Sequence, residues 1–399
     1  MIHLRGASLV LADRMVGPGT LVVDHGDIVD VRPDEAGTGP DVRDLHGCWI
    51  VPGFIDVHVH GVESHDTLDP GAPIETIARR LPRYGVTGFC PTTVACSPSD
   101  LDKVCGAIRR LRATPPAGAA RVLPAHLESN FISPEFRGAQ PLTCLRLPPA
   151  AGHAAEGGEA GGAYSGADVR AAIGKWEAEV GIVTLAPELD GATALVRDLV
   201  SHGHRVSLGH SGAGFEAAQA GIDAGARHAT HLFNRMPPLH HREPGLVGAV
   251  LSRDEVSAEI VCDGYHVHPA MVRSAIAAKT PARTMAITDG TGGSGLPVGS
   301  HASLGGRRIT VREAAFLDDG TLAGSVLTMD RAFRFLARNL GLPLVDVARM
   351  CATTPADALG LERQGRIAPG MLADFVVLDG DLRVRETWVG GERVFAAGN

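Results

Sequence analysis

The chain lacks paired cysteines, long apolar runs, an excess of positive charge and, almost entirely, lysine. Seven cysteines (48, 90, 96, 105, 144, 262, 351) make an odd number with no C-x-x-C pair, which indicates neither a disulfide framework nor a zinc knuckle and leaves reduced core cysteines as the reading. No stretch reaches the ~18 apolar residues that a membrane span requires. The opening MIHLRGASLV has no basic segment followed by an apolar block, so no secretion signal is read there and a cytoplasmic protein is expected. A formal net charge of −8 argues against nucleic acid or an anionic membrane as partner, because neither is drawn to a net acidic surface. A small solute is the better expectation. Only three of the 37 basic residues are lysine (Lys103, Lys175, Lys279), a bias that reflects base composition.

What is present is a large apolar content, 44% of 399 residues, enough for a parallel barrel of ~250 residues and a satellite domain. Both ends of the chain, LRGASLVLADRMVGPGTLVVDHGDIVDVRP and residues 365–395, are short alternating apolar segments broken by Gly, Pro and Asp. Such segments read as small antiparallel sheets. Between them lie eight apolar runs, 49–57, 87–94, 121–128, 182–188, 205–210, 228–233, 257–263 and 284–289, separated by segments of helical length. Eight strand–helix units are the count of a closed barrel. The expectation is an α/β chain: a (β/α)₈ TIM-like barrel over 52–357, with 1–51 and 358–399 joining as one small β-sandwich. In IETIARRLPRYGV the apolar residues recur at helical spacing, with Gly85 near the cap. The Ala/Gly-rich stretch 148–166 reads as a mobile loop.

Reactive residues of such barrels stand at the C-terminal ends of strands. Asp56-Val57-His58-Val59-His60, Glu128, His210, His231 and Asp289 stand at or beside the ends of these runs. One histidine at a strand end is more often a hydrogen-bonded core or surface residue. Four histidines with two or three carboxylates on one rim are not explained that way. Imidazole and carboxylate are ligands that Zn²⁺ and Fe²⁺ prefer, and an incompletely filled site holds a reactive water. His58 and His60, two apart on an extended strand, project to the same side and so can reach one ion. Other histidines, such as His3, His25, His46, His65 and His153, fall in loops or the satellite sheet.

The segments VPGFIDVHVHG, HLESNFISPEFRGAQ, VTLAPE, VSLGHSGAG, ATHLFNRMPPLHHREPG, DGYHVHP, AITDG, GTLAGSVLTM and GRIAPGMLADFVVLD resemble, in order and over nearly the whole chain, the N-acetylglucosamine-6-phosphate deacetylase family of amidohydrolases. The resemblance implies that Glu128, His210 and His231 hold the main divalent metal and that His58 and His60 add a second. One or two ions per subunit, zinc or iron, are then expected. Many other amidohydrolases bridge two ions with a carboxylated lysine after strand four; here Glu188 stands there, so Glu128 would bridge. Asp289 matches the catalytic aspartate that relays a proton from the attacking water to the leaving amine. Asn234, the backbone at Arg235, His266, and Arg242 from a partner subunit are implied as contacts of the sugar phosphate, making the working unit a homodimer.

Three departures stand out. Ser129-Asn130 replaces the family's usual Gly-Pro, Gln140 replaces the histidine to which the resemblance assigns polarisation of the scissile carbonyl, and GTGGSGLPVGSH after Asp289 is unusually glycine-rich. They leave two alternatives open: an amidohydrolase for an unphosphorylated N-acyl or cyclic amide substrate, and a catalytically silent metal-binding barrel. Retention of all five metal candidates with Asp289 disfavours the silent barrel.

Overall fold

The computed structural model describes residues 1–33, 42–149 and 163–398. Most of the 148–166 stretch expected to be a mobile loop, 150–162 with His153, lies outside the described residues. Among those described, no helix is long and apolar enough to cross a membrane.

Eight parallel strands form the barrel: β1 Phe54–Val59, β2 Val86–Thr93, β3 Ala125–Glu128, β4 Val180–Leu185, β5 Arg205–Leu208, β6 His228–Ala229, β7 Ser257–Val261 and β8 Thr284–Ile287. Each pairs with the next in chain order. The ring closes where Val59 bridges Gly290 in parallel, with the amides of His60 and Gly61 each donating to the Gly290 carbonyl at 2.8 Å. These strands are buried on both faces, which is why their sequences read as near-continuous apolar runs.

The helices follow from local signals. In Pro98–Ala113 the Ser97 hydroxyl accepts from the Asp100 amide, proline occupies the first turn, and Leu101, Val104, Cys105, Ile108 and Leu111 form the buried stripe. The expected cap at Gly85 is present: its φ is +80°, and an added Cβ would sit 2.6 Å from Phe54 Cε2. Only glycine serves both the left-handed turn and the close approach to β1.

The two ends of the chain join one eight-stranded sheet beside the barrel. Its seam is the antiparallel pair Trp49–Pro52 with Phe375–Leu378. Because side chains alternate along a strand, Ile50, Phe375 and Val377 enter the satellite core, whereas Val51, Val376 and Leu378 enter the barrel core. The run 49–57 is therefore two strands in different sheets, divided at Gly53.

Several barrel strands are shorter than their apolar runs. The run 228–233 keeps only two residues in register, because His231 (φ +29°) and Phe233 (φ +78°) turn the backbone away. Pro124 lies in the break between Arg121–Val122 and β3. After β8 an unforeseen three-stranded sheet, His301–Leu304, Arg307–Val311 and Ala315–Leu317, encloses a small core of Val94, Leu304, Ile309 and Val311. It packs over the barrel mouth.

Candidate metal centre and active site

β1 carries Asp56 and His58 inside the barrel, and His60 follows directly after its end. β3 ends on Glu128. His210, His231 and Asp289 lie just beyond β5, β6 and β8, with φ of +47°, +29° and +48°. Left-handed conformations at residues other than glycine cost about 1–3 kcal/mol each and persist only where neighbours enforce them. Here the Ser325 amide donates to the Asp289 carbonyl at 2.8 Å.

Six expected residues are brought together, all buried. Glu128 Oε1 lies 2.8 Å from both His210 Nε2 and His231 Nε2, which are 3.1 Å from each other. Glu128 Oε2 lies 3.4 Å from His60 Nε2. Asp289 Oδ1 is 3.4 Å from His58 Nε2 and 3.4 Å from His60 Nε2, and those two nitrogens are 3.3 Å apart.

This geometry suits a cation. His210 Nδ1 faces the Phe136 carbonyl at 2.9 Å and must be the N–H that donates to it, so in the neutral ring the Nε2 lone pair points at a carboxylate oxygen. A lone pair facing an anionic oxygen is repelled unless positive charge stands between them, and His231 Nε2 lies at the same 2.8 Å from that oxygen. A divalent ion at ~2.0–2.2 Å from imidazole nitrogen and carboxylate oxygen fits a triangle of this size. Among protein groups alone, burial pushes the Glu128 carboxyl up, but His210, His231 and His60 outweigh it and hold the group well below its usual range. Burial opposes charge on His60, yet Asp289 and Glu128 lift its pKa to about 10. Asp289 is depressed despite burial, chiefly by His58 and His60.

Above the cluster opens a cavity whose lining includes Gln140, Asn234, Arg235 and His266 with the metal candidates. His266 is tied by Nδ1 to Asp263 Oδ2 at 2.6 Å, and its Nε2 is buried with no hydrogen-bond partner. Arg235 donates to the Leu322 carbonyl at 3.2 Å. Arg242 does not join the cavity: it is exposed on the 238–243 segment, beside Pro237, Pro238 and Phe215.

Gln140 is fixed at both ends of its amide. Oε1 accepts from the Ala95 amide at 2.7 Å, and Nε2 donates to Glu128 Oε2. The departures Ser129 and Asn130 are also structural links: Ser129 Oγ donates to the Thr184 carbonyl at 2.5 Å, and Asn130 Nδ2 to those of Cys96 and Cys144. Glu188, three residues past the end of β4, turns aside and accepts from Ser211 Oγ and the Gly212 amide.

A layer beneath the cluster was missed. Glu259 Oε2 is 3.0 Å from His58 Nδ1, and Thr288 Oγ1 donates to Asp56 Oδ2 at 2.6 Å. His126 lies beside them, its ring 4.5 Å from that of His58. Inspecting strand ends alone passes over Glu259, which sits inside β7. The available signal was a charge within the apolar run VSAEIVC.

Residues 191–395 match the amidohydrolase family. N-acetylglucosamine-6-phosphate deacetylase of Rattus norvegicus is 37% identical over 407 residues, spanning 99% of this chain and 94% of that protein. The chain belongs to the N-acetylglucosamine-6-phosphate deacetylase family. The Bacillus subtilis member is 32% identical across 98% of this chain and 96% of its own length. Among solved structures, a mutant deacetylase from Mycobacterium smegmatis in complex with N-acetyl-D-glucosamine-6-phosphate superposes with a TM-score of 0.88 at 31% identity, covering 98% of this chain and 99% of that one. The Thermotoga maritima enzyme gives 0.84 at 30% identity, covering 99% and 100%. Family membership and the histidine–glutamate clusters together make this an amidohydrolase with a site suited to a divalent metal.

Proposed function

We propose that the chain hydrolyses the N-acetyl amide of N-acetylglucosamine 6-phosphate, giving the amino sugar phosphate and acetate. The observation that carries this reading is the convergence of Glu128, His210 and His231 with Asp289 at the floor of one cavity. Glu128, His210 and His231 would hold a divalent ion, Zn²⁺ or Fe²⁺, and His58 with His60 a second. Bound there, such an ion supplies Lewis-acid polarisation of the amide carbonyl and acidifies water.

The chain's own groups do the rest. Asp289 accepts a proton from the water whose oxygen bonds to the carbonyl carbon. As the C–N bond breaks, the same carboxyl returns that proton to the departing amine nitrogen. Gln140 presents a neutral donor: one of its two amide hydrogens is held by Glu128, and the other is free for the substrate carbonyl. Asn234, the Arg235 backbone and His266 take the phosphate, with Arg242 supplied by the partner subunit of a homodimer. Its exposure outside the cavity of its own chain supports that assignment, and a planar guanidinium suits phosphate.

In this reading 52–357 is the catalytic barrel and 1–51 with 358–399 its satellite domain. We place the protein in the cytoplasm, a reading supported by seven unpaired cysteines. The test is acetate release from a panel of phosphorylated and plain N-acetyl amino sugars. Preference for the 6-phosphate is expected. Equal use of both would move the function to an unphosphorylated N-acyl substrate.

A further inference from the structure

Three groups among the described residues bring ligand-type atoms within 4.8 Å of one another: Glu128/His210/His231, His58/His60/Glu128, and a deeper set, His58/His126/Glu259. The deepest is not a third ion site. His126 Nδ1 donates to the Val57 carbonyl at 2.9 Å, and its Nε2 faces the Thr184 hydroxyl at 2.8 Å. Both nitrogens are committed.

What remains of that set is the contact between Glu259 and His58, both with fully buried side chains. Glu259 accepts the Nδ1 hydrogen of His58, which fixes the tautomer and turns the Nε2 lone pair to the opposite side of the ring. On that side stand His60 Nε2 at 3.3 Å, Asp289 Oδ1 at 3.4 Å and Glu128 Oε1 at 3.8 Å. Glu128 is divided between the two groups, Oε1 toward His210 and His231 and Oε2 toward His60. The other oxygen of Glu259 has no hydrogen-bond partner, and the ion-pair partners of this carboxylate are imidazoles only. A buried carboxylate without a cationic side chain is costly unless positive charge stands close by. The one imidazole it orients leads directly to a cluster built for such a charge.

We propose that Glu259 is a positioning residue for His58, fixing its ring so that Nε2 is presented, beside His60, to the second divalent ion that those two histidines would hold. The inference rests on the metal-centre reading above and concerns the second ion alone. A carboxylate behind a ligating histidine raises the basicity of the ring as well as orienting it, and losing such a partner costs ~10–100-fold in metal affinity.

The test strips the full-length protein with a chelator, titrates it with Zn²⁺, and measures ions bound per chain and both stepwise affinities. The wild type should take up two ions. Glu259→Ala should weaken the second by ~10–100-fold while leaving the first within about threefold. Glu259→Gln, which keeps an accepting oxygen of the same reach without its charge, should fall between, and it carries the test if Glu259→Ala does not fold. In a His58→Ala background, Glu259→Ala should change ion content no further, because its partner is gone. A wild type that saturates at one ion, unchanged second-ion affinity in both Glu259 variants, or parallel loss of both ions would each overturn the proposal. Acetate release separates the two readings. Release by a one-ion wild type contradicts this inference only, whereas two bound ions without release contradict the deacetylase reading only.

Discussion

The satellite sheet and the barrel mouth bury carboxylates in opposite ways. In the satellite, Asp374 receives two hydrogen bonds from the Arg121 guanidinium, at 2.8 and 3.0 Å, and Glu386 meets Arg43, Arg393 and the Trp388 indole. Each charge is neutralised by an arginine of the chain. At the mouth the ion-pair partners of Glu128, Asp289 and Glu259 are all imidazoles. A chain rich in arginine that keeps it out of this one cluster leaves room for a cation from solution. The satellite core, by contrast, rests on apolar area: Leu4, Leu21, Ile50 and Phe375 are fully buried, and Phe375 stacks on Trp388 with ring centroids 5.4 Å apart.

The sharpest way to break this contrast is to remove a ligand at the mouth. His210→Ala or His231→Ala should abolish tight metal binding and turnover together, since each takes one of three donors from the main site. Metal analysis beside an acetate assay checks this, and normal metal content with full activity would remove the site assignment. Next in size is Asp289→Asn, expected to lower kcat by ~10²–10⁴ while metal content stays near normal. Loss of metal in parallel would make Asp289 chiefly a ligand.

On the satellite side, Phe375→Ala should cost about 3–5 kcal/mol of stability through the cavity it leaves. Thermal unfolding measures that loss, and KM for the substrate should not move at temperatures where the variant is folded. The smallest effect expected is at Arg242→Ala. It should raise KM for the phosphorylated substrate roughly tenfold to a hundredfold, the scale of one charge-assisted hydrogen bond, and hardly alter use of the plain sugar. An equal change with both substrates would take Arg242 out of phosphate recognition.

The same contrast decides what was legible in the sequence. The barrel strands are written as eight short apolar runs and the satellite sheet as alternation broken by turn residues, which are local signals. Glu128, His210 and Asp289 showed because each ends an apolar run with a polar residue, and His231 because it interrupts one. Glu259 did not, because its role depends on β1 and β7 facing each other across the barrel interior, a relation that no window of sequence contains. The three-stranded sheet at 301–317 escaped for another reason: its strands are only three to five residues long, and they follow the glycine-rich stretch GTGGSGLPVGSH. Gln140 was flagged by its departure from the family. Its anchoring between Ala95 and Glu128 emerged only from the folded loop.

The central claim is that the imidazole–carboxylate cluster at the mouth is a metal centre whose purpose is amide hydrolysis. Its most direct test is acetate release from N-acetylglucosamine 6-phosphate by one sample as isolated, after chelation, and after Zn²⁺ or Fe²⁺ is returned. The account predicts one acetate per amino sugar phosphate formed, loss of release on chelation, and recovery with the ion. Release that survives complete removal of metal, or no release by protein shown to be metal-loaded, would contradict it.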